Sequence, residues 1–199
     1  MTVRQDGFQR NCGRLDSDAT WCKSGYHGWV YGYGLHVTCN QNALPVLVQV
    51  ETAALSESTV LDQKEKTVLQ LLKPHTLSAD NSYCKATRIR RWARQQVALL
   101  TPAAKWRNGR FAKAYHRFLR QPLNAQRLRK RRTTIEPLFD LVAKLLGTTA
   151  KQKQLSVQLL ANVRTCLALA VLDLQIAMLA NCIWGLPLRN ISTFKTAFA

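Results

Sequence analysis

Segments with the period of a β-strand and segments with the period of an α-helix alternate between residues 28 and 100. The first is a predicted β-hairpin: residues 28–38 are aromatic and β-branched, and valines alternate along residues 44–50. Alternation of this kind puts apolar side chains on one face of a strand. The connecting Asn40-Gln41-Asn42 is an Asn-rich turn, whose residues tolerate a positive φ.

The segments after the hairpin continue the alternation. Apolar residues at helical spacing, an N-cap at Ser56 or Ser58 and a stop at Pro74 predict a helix. The next strand ends at Asp80, and open α/β sheets carry functional groups at such strand ends. The alternation therefore predicts an α/β fold class. The predicted segments are a helix at 56–72, a strand at 75–79, a helix at 84–94 and a strand at 96–100.

We expect the chain to form one domain, because 199 residues with 47% hydrophobic content can bury a sizeable core. After residue 100 the clearest element is a helix that Thr133 or Thr134 caps and Gly147 ends. The start of the chain is polar and aperiodic, which predicts a loop. The expected organisation is a starting loop at 1–23, a sheet with helices at 24–150, and an apolar helix with a tail at 151–199.

The longest apolar run covers residues 153–184. A membrane span is one interpretation of such a run. Arg164, Asp173 and Gln175 interrupt it before it reaches about 20 apolar residues, so we favour a helix packed on the sheet and expect no membrane partner. We expect no secretory signal, because nothing near Met1 combines a basic start with an apolar stretch, and the six cysteines lack zinc-site spacing. These features predict a cytoplasmic protein with reduced thiols.

The positive charge lies in the second part of the chain. Residues 1–80 hold seven Lys or Arg against eight Asp or Glu, whereas residues 81–199 hold 22 against three. A formal net charge of +18 causes self-repulsion unless a polyanion binds. A phosphate backbone is such a partner, because binding releases its condensed counterions. A nucleic acid is therefore the expected partner, and no small-molecule substrate is indicated.

Four short motifs follow one another along the chain. They are Asp16-Ser-Asp18-Ala-Thr-Trp21, Gly32-Tyr33-Gly-Leu35-His36, Asp80-Asn-Ser-Tyr83 and Arg132-Thr-Thr-Ile-Glu136. In this order and spacing, the chain resembles the catalytic half of bacterial insertion-sequence transposases of the DDE class. The family commonly has Gly before the Tyr of the third motif, where this chain has Ser82. The resemblance covers most of residues 16–146.

The resemblance implies a ribonuclease H-like domain, with a mixed sheet flanked by helices. In the family, three acidic residues hold Mg²⁺ or Mn²⁺ for DNA cleavage and strand transfer. Asp80 and Glu136 correspond to two of them, and the first would lie on a strand upstream of Asp16. We therefore expect an N-terminally truncated domain with weak metal binding. Asp16 and Asp18 lie in a predicted loop and are not expected to replace the missing acid.

Asp80 and Glu136 also have ordinary structural explanations. An Asp after a strand commonly caps a turn or helix. Pro137 restricts Glu136 to the first turn of a helix, where the helix dipole favours a carboxylate. The resemblance is what assigns both residues to catalysis and to metal binding. Hard divalent ions bind carboxylate oxygens, so the prediction is that Asp80 and Glu136 share a metal site.

A basic cluster accompanies these two acids. A solvated face is the commoner explanation for such runs, but only Glu136 and Asp140 are acidic between residues 81 and 172. This excess is too uneven for pairing, which favours phosphate contacts. Arg132 would also be able to hold Glu136. The expected DNA-binding residues are Arg88, Arg91, Arg127, Arg129, Lys130, Arg131 and Arg132.

Three further residues, Tyr83, Tyr33 and His36, are expected to support the motifs. For His36 a structural role beside a strand is favoured over a role as ligand or base. Together the observations predict a transposase acting in DNA transposition, inactive as this fragment. The alternative is a non-enzymatic basic nucleic-acid-binding protein. Whether the chain is an enzyme stays open, and so does its oligomeric state, a homo-oligomer included.

Overall fold

The computed structural model describes residues 16–24, 28–103, 108–148 and 155–191. These residues form an α/β structure, which confirms the predicted class. The chain divides into two compact units, one formed by Met1–Leu55 with Thr134–Ala199 and the other by Ser56–Thr133. The strands are β1 (Thr20–Ser24), β2 (Gly28–Cys39), β3 (Pro45–Thr52), β4 (Thr76–Ser78) and β5 (Ala98–Leu100). The α-helices are α1 (Glu57–Lys66), α2 (Ala86–Arg94), α3 (Arg110–Arg120), α4 (Pro122–Leu145) and α5 (Leu160–Ile183).

The first unit contains a three-stranded antiparallel sheet in the order β1-β2-β3. Its β2–β3 hairpin is the predicted one. In the turn, the Asn40 side chain accepts hydrogen bonds from the amides of Asn42 and Leu44 at 2.9 and 3.0 Å. The positive φ of 66° falls on Ala43 and not on an Asn.

Strand β1 was not expected, because its residues lie in the segment predicted as a loop. It pairs with β2 in a register that puts Trp21 opposite Tyr31, with ring centroids 5.1 Å apart. Aromatic cross-strand pairs stabilise a two-stranded contact even where the sequence shows no alternation. Residues 1–15 of the predicted loop lie outside the described residues.

Helix α5 packs on β3, as predicted for the apolar run. The polar residues that interrupt the run anchor it: Arg164 donates to the Val50 carbonyl and to the Glu51 carboxylate at 3.0 Å, and Gln175 donates to the Pro45 carbonyl at 2.8 Å. By length and composition α5 could cross a membrane, and 39% of its most apolar window is buried inside the protein. The helix begins at Leu160, several residues after the predicted start.

Asp16 and Asp18 cap this helix. The Asp16 carboxylate accepts hydrogen bonds from the Leu159 amide at 3.1 Å and the Tyr33 hydroxyl at 2.8 Å. Asp18 accepts from the Leu160 amide at 2.9 Å. Free amides and the positive end of the helix dipole favour a carboxylate at this place. Both residues therefore have a structural role at the start of α5.

The second unit contains a two-stranded parallel sheet, in which β4 pairs with β5. Ser56 caps α1 as predicted, since its side chain accepts from the Thr59 amide at 3.2 Å. A π-helical segment, Thr67–Leu72, continues α1 up to Lys73, which has a left-handed φ of 42°. The hydrogen bonds between the described strands join β3 to β2 and β4 to β5. The described strands therefore form two small sheets, whereas one mixed sheet was expected.

Helix α4 begins at Pro122 and not at Thr133 or Thr134, so the predicted start was wrong. Proline suits the first helical position, and the Gln, Arg, Lys and Leu residues that follow are good helix formers. The Thr133 hydroxyl donates to the Lys130 carbonyl at 2.9 Å inside the helix. Pro137 therefore lies within α4, and the expectation that Glu136 belongs to a first turn was also wrong.

Candidate functional site

Asp80 follows β4 and caps a 3₁₀ turn, Asn81–Tyr83. Its Oδ1 accepts from the Asn81 amide at 2.7 Å and forms an ion pair with Arg131 Nη1 at 2.8 Å. The Asp80 side chain is 60% exposed, whereas that of Arg131 is 13% exposed. The predicted position at a strand end is confirmed, and the ordinary capping role applies as well.

Arg131 lowers the pKa of Asp80. Partial burial alone would raise the pKa of this carboxyl, but the hydrogen bond from Arg131, the Asn81 amide and the charges of Arg131 and Arg132 together lower the pKa below its ordinary value. The Arg131 Nε is buried and has no hydrogen-bond partner in the described part of the chain. Arg131 thus uses one end of its guanidinium to hold Asp80.

The rest of the Asp80 motif is well accommodated. Ser82 donates a hydrogen bond to the Glu57 carboxylate on α1 and has no positive φ, so replacing the family's Gly causes no backbone strain. Tyr83 is half-buried, and burial together with the charges of Glu57 and Asp80 raises the pKa of its hydroxyl. Its carbonyl accepts from Arg88 at 2.7 Å. Tyr83 therefore joins the motif to α2.

Arg88 is buried, with 1% of its side chain exposed. Besides Tyr83 it donates to Asp62 at 3.1 Å and to the Ser58 carbonyl and hydroxyl at 2.6 and 3.0 Å. A side chain enclosed in this way cannot reach a DNA backbone. We therefore withdraw Arg88 from the expected DNA-binding set, because its guanidinium is needed to join α1 to α2.

Arg91 is half exposed and forms ion pairs with Glu65 and with Asp62, the latter at 3.4 Å. The hydrogen bond from Arg91 to Glu65 is the main reason that the pKa of Arg91 is raised. The expectation that the basic residues lack acidic partners fails here, since α1 supplies both carboxylates. Arg91 is left with little free charge for phosphate.

Four of the five remaining predicted DNA-binding residues are exposed on helix α4, and the fifth is Arg131, the partner of Asp80. Arg127 donates to the Thr76 hydroxyl at 2.8 Å, and Arg129 donates to the Ala125 carbonyl at 3.3 Å. These partners are neutral, so the two charges are not cancelled by them. Lys130 and Arg132 are exposed as well. These four exposed side chains stay candidates for phosphate contact.

Helix α3 carries a second basic face, the α3 stripe, formed by Arg110, Lys113, Arg117 and Arg120. Their spacing of three and four residues puts them on one side over about 15 Å, and all four are exposed. Residues 81–133 contain no Asp or Glu. The opposite side of α3 is fixed by Tyr115, whose hydroxyl donates to the Leu99 carbonyl at 2.8 Å. The sequence-based prediction missed this stripe, although the helical spacing of its cations could have revealed it.

Glu136 is exposed on α4, directly before Pro137. It belongs to the first unit and Asp80 to the second, so their convergence stays a prediction. Across the described residues no group of three His, Cys, Asp or Glu side chains could hold a metal ion. One Asp80 oxygen is also paired with Arg131. These residues therefore do not fit a complete metal site by themselves.

Tyr33 and His36 both lie on β2. Tyr33 is buried and donates to Asp16, and burial with the nearby Asp16 carboxylate raises the pKa of its hydroxyl. The His36 ring lies against Gly34, where an added Cβ would come within 3.1 Å of the His36 Nε2. The small residue of this motif thus makes room for the histidine, which supports the structural role favoured for it.

These features describe an α/β protein with a basic surface that suits a nucleic acid. The family model described as Transposase DDE domain matches residues 2–170, well over half of the chain. The chain belongs to this family, which confirms the resemblance to DDE transposases. Membership supports a role in transposition, with DNA as partner and a divalent metal as the family's usual cofactor. Comparisons with curated proteins and with solved structures found no match.

Proposed function

We propose that this chain is part of the catalytic domain of an insertion-sequence transposase and acts in DNA transposition. The proposed domain has a ribonuclease H-like architecture and lies in the cytoplasm. The match to the transposase family over residues 2–170 is the observation that carries the proposal. Asp80 and Glu136 are the proposed acids. In support, Asp80 is exposed at a strand end, and Arg131 lowers its pKa.

The proposed DNA surface differs from the one expected at first. It consists of exposed cations on two helices. They are Arg127, Arg129, Lys130 and Arg132 on α4 and the α3 stripe. Arg131 acts differently, because by pairing with Asp80 it offsets a negative charge that would repel an approaching phosphate.

We expect cleavage by this chain alone to be weak. Three acids serve the family according to the resemblance, and we assign only two here. Mg²⁺ or Mn²⁺ is retained as the expected cofactor, without an assigned ligand geometry, because the described residues do not complete a metal site. The same observation favours the second candidate, a basic protein that binds nucleic acid without cutting it.

A comparison of three variants separates the two candidates. Asp80→Asn and Glu136→Gln each remove a proposed acid, and Asp140→Asn removes an exposed acid one turn after Glu136 as a matched control. Plasmid nicking and DNA affinity are measured with and without Mn²⁺. We expect any nicking, and any Mn²⁺-dependent gain in affinity, to disappear in the first two variants alone. A DNA affinity that does not change with Mn²⁺ in any of the proteins, and that rises in Asp80→Asn, would favour a basic protein that binds nucleic acid without cutting it.

A further inference from the structure

Asp80 is paired with a cation that belongs to the protein itself. Arg131 Nη1 lies 2.8 Å from the Asp80 Oδ1, and the Asn81 amide donates to the same oxygen at 2.7 Å. Both contacts therefore fall on one oxygen of the carboxylate. Hard divalent ions bind through the lone pairs of such oxygens. A cation that arrives from solution thus meets a carboxylate already engaged by two donors.

The pair follows from the way α4 lies beside β4. Arg127 and Arg131 are four residues apart on α4, which puts them on the same side of the helix. Arg127 donates to the hydroxyl of Thr76 at the start of β4, and Arg131 reaches Asp80 just past the end of this strand. All four residues belong to the second unit. The packing inside this unit therefore brings Arg131 to Asp80.

Arg131 is held less completely than the structural arginine of the same unit. Arg88 donates to a carboxylate on α1 and to two backbone carbonyls. Arg131 is also largely buried, yet its Nε has no hydrogen-bond partner in the described part of the chain. An arginine has five N–H donors, and a buried donor without an acceptor costs free energy. Breaking the contact of Arg131 with Asp80 therefore costs less than breaking those of Arg88.

We propose that Arg131 is an internal counter-ion that competes with divalent cations for the Asp80 carboxylate. The guanidinium engages the carboxylate, and its charge repels a second cation that comes close. The described residues do not complete a metal site, and this pairing weakens Asp80 further as a ligand. This role of Arg131 rests on the proposed function, in which Asp80 is one of the acids.

Mn²⁺ binding to the nuclease-treated full chain, measured by electron paramagnetic resonance, tests the competition without a cleavage reaction. Arg131→Gln should bind Mn²⁺ roughly tenfold more tightly than the native chain, because a neighbouring positive charge is removed. Arg131→Lys keeps that charge and should stay close to the native affinity. Arg129→Gln is the matched control. It removes the same charge from the opposite, exposed side of α4, and its affinity should change about twofold or less.

Two further variants make the outcome decisive. Arg131→Gln combined with Asp80→Asn should lose the gain, because the gain acts through Asp80. If Arg131→Gln does not fold, as judged by circular dichroism, Arg131→Met replaces it and preserves the packing of the buried stem. Unchanged or weaker Mn²⁺ binding in Arg131→Gln, with binding still lost in Asp80→Asn, overturns the proposal and leaves the metal role of Asp80 intact. Mn²⁺ binding that is the same in Asp80→Asn and in every other variant overturns both.

Discussion

At the scale of single residues, charge in the sequence was a poor guide to which arginines carry a carboxylate partner. Arg88 and Arg91 lie in a segment without acids, yet their partners Asp62 and Glu65 come from α1, 26 residues earlier in each pair. Such pairing depends on how two helices pack, which no local pattern encodes. The position of Asp80, by contrast, followed from the short strand directly before it.

Replacing Arg88 by Met should lower the free energy of unfolding by about 2–4 kcal/mol, because the partly buried carbonyls of Tyr83 and Ser58 lose their donors and Asp62 loses its buried ion-pair partner. Urea unfolding followed by circular dichroism measures the change. Arg94→Met is the control on the same helix, since Arg94 is exposed, and its effect should stay within about 0.5 kcal/mol. Equal losses in both variants would contradict the structural role of Arg88.

Asp62 should make the stability depend on pH in the acidic range. Burial raises the pKa of this carboxyl, but hydrogen bonds from Arg88 and Lys85 outweigh burial and lower the pKa below 3.8. The ionised form therefore stabilises the folded state above the ordinary pKa, and this contribution is lost as the pH falls through the folded pKa. We expect the stability difference between native chain and Asp62→Asn to be constant from neutral pH to about pH 5 and to shrink below about pH 4. A difference that grows on acidification would contradict the assignment.

At the scale of elements, the sequence predicted those that carry their own signals. The β2–β3 hairpin has alternation and an Asn turn, and α1 has a Ser cap that the structure confirms. Two predictions failed, the first because its signal belonged to another part of the helix and the second because the sequence carries no signal for the strand. Thr133, Thr134 and Pro137 resemble a helix start, yet the ten residues between Pro122 and Thr133 are mostly good helix formers and extend the helix back to Pro122. Strand β1 forms because it pairs with β2, and no local pattern in the sequence predicts this pairing.

Pro137 is a weak point of α4 that can be tested. It has no amide hydrogen to donate to the Thr133 carbonyl, and proline inside a helix costs up to about 3 kcal/mol relative to alanine. Pro137→Ala should therefore raise the free energy of unfolding, measured by thermal and urea unfolding. Pro122→Ala is the control, because a proline at the first helical position interrupts no hydrogen bond of the helix. We expect no increase in the free energy of unfolding for this variant. A destabilised Pro137→Ala variant would show that the proline is required by its packing.

At the scale of the whole molecule, the formal charge of +18 overstates what is available to DNA. Carboxylates hold several of the cations, namely Lys85, Arg88, Arg91, Arg131 and Arg164. The cations proposed to bind DNA gather instead on the exposed sides of α3 and α4. The excess of positive charge in the second part of the chain could be predicted from the sequence, since composition alone decides it. It could not predict which cations face solvent, because burial and pairing are properties of the fold.

The salt dependence of DNA binding counts the cations that contact phosphate. Neutralising Z phosphates lowers log K with a slope of about −0.9Z against log salt, so the α3 stripe with Arg127, Arg129, Lys130 and Arg132 predicts a slope of about −7. Lys113→Gln with Arg117→Gln, both in the α3 stripe, should make the slope shallower by about two and weaken binding equally for unrelated DNA sequences. Arg91→Gln should leave the slope nearly unchanged, because its charge is already paired with Glu65. Fluorescence anisotropy titrations at several salt concentrations measure all three proteins. A slope that responds to Arg91 and not to the α3 stripe would place the DNA on α2 and reverse the assignment of both surfaces.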